Sequence, residues 1–300
     1  MKKILFVRVL VLLMALILAC TAASCNSFGN TEYAIISQNN TSADGFVYDK
    51  YENSTVRITG MESLPAVLVI PETIDGMTVV EISDEAFADN EMLFYVELPK
   101  TPIKLGSRVF GGAVALLTVN FSNAVTAIPE NTFEGCTNLV AIENADSVTE
   151  IAAQAFADCA NLSSFSIPSK LERIGAEAFR GCTSLTSVVL SETVSEIAES
   201  AFWGCSSLVS AEIRGATAVP AYCFLNCTAL TKVTLGDNVT AIGEEAFRGC
   251  RTLYCVEIGS GLTEIADYAF HACDEIADVT IPAKSNIKVG EGNESLGLQG

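Results

Sequence analysis

Ile174-Gly-Ala-Glu-Ala-Phe179-Arg-Gly-Cys182-Thr-Ser-Leu185-Thr-Ser-Val188-Val-Leu190 is one turn of a repeat. The frame returns as Ile151, Phe156, Cys159, Leu162, Phe165 and Ile167, and again as Ile242, Phe247, Cys250, Leu253, Val256 and Ile258. Its phenylalanine recurs at Phe87, Phe110, Phe133, Phe156, Phe179, Phe202, Phe224, Phe247 and Phe270, in steps of 23 residues with a single step of 22. A period of this length means stacked coils. Val188 and Leu190, like Val256 and Ile258, are one residue apart and mark a short strand with one face inward. Val148-Thr-Glu-Ile151 and Leu262-Thr-Glu-Ile265 mark a second short strand before the phenylalanine. Between them, Glu-Ala-Phe-Arg-Gly-Cys lacks β-branched residues and predicts a helical turn, left through Gly181, Gly204 or Gly249. One coil cannot bury its apolar side alone, but stacked coils join those sides into one core.

The frame resembles the BspA-type leucine-rich repeats of bacterial surface proteins, whose pattern is close to I-x-x-x-A-F-x-x-C-x-x-L-x-x-V-x-I-P. The match runs from about Val79 to Pro282. It implies an α/β repeat fold: a leucine-rich-repeat solenoid of nine coils over residues 79–282, with short parallel strands and one helical turn per coil. Residues 44–78 resemble the family's N-terminal β cap. Phe46–Tyr48, Val56–Ile58 and Ala66–Ile70 are its expected strands, and Asp75-Gly76 is a turn signal. Departures are local. Asn90 and Gly112 replace cysteine in the first two units, Asn144 stands where the strand wants isoleucine, and the seventh unit is one residue short. Residues 20–43, rich in Asn, Ser and Thr from 26 on, are expected to be a flexible tether. The tail, 283–300, has few apolar residues and no obvious cap.

The N-terminus carries a targeting signal. Lys2 and Lys3 precede an apolar run whose uncharged part, Val9 to Ala19, is too short to span a bilayer and fits a signal peptide over 1–19. Ile17-Leu18-Ala19-Cys20 and Ala22-Ala23-Ser24-Cys25 both resemble the bacterial lipobox. That resemblance implies lipid attachment at Cys20, with Cys25 as the alternative, and plain signal cleavage as the other outcome. The chain is then expected outside the cytoplasm, at the cell envelope or surface, meeting the membrane only through its lipid anchor. The formal charge of the 300 residues is −19. Such a surface repels phosphate backbones and anionic headgroups, so nucleic acid is a poor partner.

Chemistry finds little purchase. Cys136, Cys159, Cys182, Cys205, Cys227, Cys250 and Cys273 each sit three residues after a repeat phenylalanine. Equivalent positions in stacked strands lie about 4.8 Å apart with parallel side chains. A cystine needs Cβ atoms roughly 3.8 Å apart and facing each other. Buried free thiols are therefore expected, with Cys255 on a variable strand position and reachable. No Cys-x-x-Cys and a single histidine, His271, leave no metal site and no cofactor implied. His271 shares a variable column with Arg180, Trp203, Leu225 and Arg248, which marks surface rather than a catalytic base. Glu150, Glu196 and Glu264 fall in an exposed column that also accepts Arg173 and Ala241, so no carboxylate pair stands out. No catalytic residue is assigned, and an enzyme is not expected.

What remains is surface. The column of Arg180, Trp203, Leu225, Arg248 and His271, with Tyr222 and Tyr268 two places before their phenylalanines, forms an aromatic and cationic stripe. These residue types dominate binding hot spots. The candidate partner-binding residues are Arg180, Trp203, Tyr222, Arg248 and Tyr268. The expected function is a surface binding or adhesion module for a protein or other macromolecular partner: host matrix, other cells or an envelope component. The alternative is a passive structural spacer. Oligomeric state is open.

Overall fold

Alternation of inward apolar and outward polar side chains gives each coil two short strands, and a computed structural model shows how they stack. It describes residues 33–163, 165–281 and 287–297. The expected signal peptide, Cys20, Cys25 and the expected tether up to 32 lie outside the described residues. The strands before each phenylalanine, from Lys104–Leu105 to Lys288–Val289, lie along one side of the solenoid and pair in parallel from Ala127–Ile128 to Glu196–Ile197 and again from Ala218–Val219 to Lys288–Val289. The Val-x-Leu strands line another: Ser187–Leu190, Ser210–Ile213, Lys232–Leu235, Cys255–Ile258 and Asp278–Thr280, with Val188 opposite Ala211, Ala211 opposite Val233 and Val233 opposite Val256. The short seventh unit does not disturb this register. The missing residue falls between Ile213 and Val219, in the turn joining the two strands, and the Phe202 and Phe224 rings still stack at 5.3 Å.

The arc around each phenylalanine is not helical, which corrects the expected helical turn. Two positions per coil are left-handed: the residue two before the phenylalanine, as at Glu177 (φ 54°) and Tyr222 (φ 58°), and the residue two after it, as at Asp158 (φ 59°) and Gly181 (φ 71°). A helix cannot pass through such residues. Alternate amides instead point in different directions. Glu177, Phe179 and Gly181 donate to Glu199, Ala201 and Trp203 of the next coil, at 2.8–3.0 Å. Arg180 and Cys182 close turns onto Glu177 and Phe179 of their own coil. Gly181 also meets a spatial demand, since a Cβ there would collide with Asp158 Oδ1 from the coil below.

Inside, the nine phenylalanine rings form one stack, with centroids 5.0–5.8 Å apart. Burying each is worth roughly 1.5–3 kcal/mol. The ladder cysteines pack beside them, and each thiol donates to the phenylalanine carbonyl of the preceding coil, as Cys182 does to Phe156 at 3.2 Å. Their side chains thus point along one another rather than face to face. Loss of hydration pushes the Cys136, Cys205 and Cys273 thiols up to about 12. In the second coil the cysteine place belongs to Ala113, one residue on from Gly112. Asn144 does not enter the core. It turns outward at φ 55°, its amide donates to Asn120, and Ala145 turns inward instead.

Residues outside the repeat meet the ladder at each end. β1 (Ile35–Thr41), β2 (Phe46–Tyr51) and β3 (Thr55–Met61) form an antiparallel cap, and β3 then runs parallel to Met77–Ile82, the first strand of the solenoid side. The Asp75-Gly76 turn forms, with φ of 49° and 77°. The cap thus begins at 35, which shortens the expected tether. Its polar first strand hid because backbone pairing holds it, with Asn40 donating to Tyr48 O, rather than an apolar face. The tail is corrected too. Asn293, 23 residues after Phe270, takes the next phenylalanine place, and its Oδ1 accepts the Phe270 amide at 2.9 Å. Ser295 Oγ donates to Phe270 O, as a cysteine does elsewhere, and Leu296 fills the cysteine's apolar space. At this place polar side chains stand in for the backbone of a next coil and satisfy the Phe270 amide and carbonyl.

Candidate functional site

One place after the phenylalanines of the later coils stand Arg180, Trp203, Leu225, Arg248 and His271, exposed or half-buried, and the backbone ladder places them on adjacent coils. Gly181, Gly204, Asn226 and Gly249 donate to the carbonyls of Trp203, Leu225, Arg248 and His271, at 2.8–2.9 Å. The column two before the phenylalanine runs alongside. Arg180 Nε lies 3.2 Å from Glu177, Arg248 lies 2.8 Å from Glu245, and Tyr268 meets His271 edge-on at 5.7 Å. The five candidate residues therefore share one surface. Trp203 is 37% exposed and Tyr268 41%, while Tyr222 and Leu225 are half-buried.

The stripe is aromatic as expected, but its cations are neutralised. Arg180 is held between Asp158 at 2.7 Å and Glu177, and Arg248 by Glu245. The open charges are Glu199 and Glu244, exposed residues for which no cationic partner is found among the described residues. Sequence reasoning passed over them. Their signal was position, three places before a phenylalanine on the same arc. The field they make is felt locally: the Glu244 carboxylate, then burial, then Glu245 and Glu199 push the Tyr222 phenol above its ordinary value.

A second surface lies on the Val-x-Leu strands. Val189, Ser210, Glu212, Lys232, Thr234 and Glu257 line a shallow groove of about 320 Å³. Lys232 reaches Glu257 at 2.7 Å, Thr234 donates to the same carboxylate, and Arg214 pairs with Glu212. Val189, Val209 and Tyr254 stand exposed on this side, at 46–53%. Cys255 is partly exposed, as expected, but its thiol is not activated. Partial burial, Asp278 and Glu257 all hold it above its ordinary value.

In the carboxylate column before the phenylalanines, Arg173 pairs with Glu150 and Lys288 with Glu264 across neighbouring coils, both at 2.8 Å. Among the described residues no group of three or more His, Cys, Asp or Glu could hold a metal, and no helix is long and apolar enough to cross a membrane.

A family model described as BspA type Leucine rich repeat region matches residues 72–183 and 217–292 in six copies. Among solved structures, the chain is similar to the leucine rich repeat protein of T. pallidum, at 30% identity and a TM-score of 0.53, over 71% of this chain and 90% of that one. It is also similar in fold to a leucine rich cell surface protein from Faecalibacterium prausnitzii, at 21% identity and a TM-score of 0.50, over 86% and 96% of the two chains. No curated protein matches significantly.

Proposed function

Because the chain belongs to the BspA-type leucine-rich-repeat family, we propose that it is a binding module displayed at the cell surface, engaging a protein partner through the aromatic arc of its later coils. Proteins built on this repeat are in general interaction scaffolds rather than enzymes. The observation that carries the reading is the contrast between columns. Inward columns stay apolar, with phenylalanine in all nine coils, while the arc collects Trp203, Tyr222 and Tyr268, exposed or half-exposed on a rigid backbone ladder. Rigid aromatic anchors lose little freedom on contact. Display rests on the signal peptide and lipidation at Cys20 or Cys25. Fatty-acid labelling that persists in the Cys20→Ser, Cys25→Ser double variant would count against the anchor. A spacer needs no such arc.

The test is capture of partners from host-matrix and envelope extracts. Wild type should capture a partner that Trp203→Ala, Arg248→Ala binds at least about 30-fold more weakly, since truncating a central aromatic anchor costs about 2 kcal/mol or more. Undiminished capture of every partner by that variant would refute the arc and move attention to the groove around Glu212, Lys232 and Glu257.

A further inference from the structure

We infer that the arc receives a basic segment of its partner, with lysine or arginine side chains seated against Trp203 and Tyr268 beside the carboxylates of Glu199 and Glu244. This rests on the reading that the arc binds a protein. It adds the chemistry of what is bound.

The argument starts from which charges are already satisfied. Arg180 and Arg248 are each paired within the arc. An acidic partner would have to break those pairs to use them. Glu199 and Glu244 are exposed and carry no cationic partner among the described residues. They flank the seventh coil from either side: Tyr222 donates its amide to the Glu244 carbonyl at 3.0 Å, and Glu199 stands on the sixth coil with Trp203. An aromatic face next to open carboxylates suits a cation on an apolar stem. The ring quadrupole attracts the charge, tryptophan most strongly, and the carboxylate pairs with it. The stem covers ring area that water would otherwise meet. The chain's charge of −19 draws cationic partners toward the surface and repels anionic ones.

Coil spacing sets the pattern. Trp203 and Tyr268 are three coils apart, and the phenylalanine rings of those coils are separated by 5.3, 5.3 and 5.0 Å. An extended chain rising roughly 3.3 Å per residue crosses those three coils, about 16 Å, in about five residues. The fitting segment is extended, with basic residues about five positions apart.

Trp203 is the only tryptophan of the chain, so its emission reports on this site alone. The full chain in detergent is titrated with a synthetic peptide bearing arginines five positions apart, and with a twin in which each arginine is glutamine. The arginine peptide should shift Trp203 emission saturably. Its affinity should fall about tenfold between roughly 0.05 and 0.5 M salt, and about tenfold in Glu199→Gln, Glu244→Gln, whose unfolding midpoint should match wild type. An unmoved emission, equal binding of the glutamine twin, or full affinity in the double variant would overturn the inference. Partner capture separates it from the broader reading. Capture lost in Trp203→Ala, Arg248→Ala but retained in Glu199→Gln, Glu244→Gln removes the basic segment and leaves the binding arc. Capture retained in both removes the two together.

Discussion

Phe202 and Trp203 are consecutive in the chain and belong to opposite regimes. The column of Phe202 is one residue type over nine coils, fully buried, each ring stacked on the next. The column of Trp203 reads Arg180, Trp203, Leu225, Arg248 and His271, on the same ladder of hydrogen bonds. Backbone regularity is equal in the two. What differs is that an inward side chain must fit against copies of itself above and below, whereas an outward one meets solvent and can change alone. The fold thus offers a fixed frame on which a partner surface can vary without cost to the core.

The largest effect expected from this contrast is in the stack. Phe202→Ala should cost about 3–5 kcal/mol, because neighbouring rings held by their own coils cannot collapse into the gap. Denaturant unfolding measures it, and a loss below about 1 kcal/mol would mean that the stack is dispensable.

Next is the end of the same column. Asn293→Ala leaves the Phe270 amide without its acceptor and should cost about 1–3 kcal/mol. Hydrogen exchange at Phe270 should accelerate while that at Phe179 does not. Equal protection in variant and wild type would deny Asn293 its capping role.

The buried thiols give a pH effect. Cys205 is pushed up to about 12 in the folded chain from an ordinary value near 9. A raised value means that the neutral thiol is favoured by folding. Its contribution is whole below pH 9 and is lost as pH rises from about 9 toward about 12, by about 1.4 kcal/mol per pH unit. Tyr48, also pushed to about 12, acts in the same direction. The fall in unfolding midpoint between about pH 8 and 10 should be shallower in Cys205→Ala than in wild type, and identical slopes would contradict the burial of this thiol.

The smallest effect belongs to the outward column. Trp203→Ala should lower stability by less than about 1 kcal/mol, as a partly exposed side chain off the stack should. A thermal unfolding shift as large as that of Phe202→Ala would collapse the distinction between the two columns.

Much of this was legible in the residues. Phenylalanine spacing announced the coils, Val188 and Leu190 the strands, and Asp75-Gly76 the turn of the cap. The arc was misread because its left-handed positions hold Glu177, Ser200 and Tyr222 as readily as Asn131. None of the first three announces that conformation, which the hydrogen bonds to the next coil impose. Asn293 had a signal in its spacing of 23 from Phe270, but an isolated polar residue does not look like a core position until its amide group is seen bonding backbone. The aromatic and basic residues of the stripe were legible, and the neutralisation of Arg180 was not, because its pairing with Asp158 crosses from one coil to the next.

The sequence by itself determined the period, the inward columns, the acidic surface and the type of residue on the arc, since each follows from local alternation and spacing. Tertiary structure alone decided which charges are spent in pairs, which backbone positions turn left-handed, and how the ends are capped. Those depend on groups about 23 residues apart being brought within about 3 Å of one another, and stacking, not local preference, brings them there.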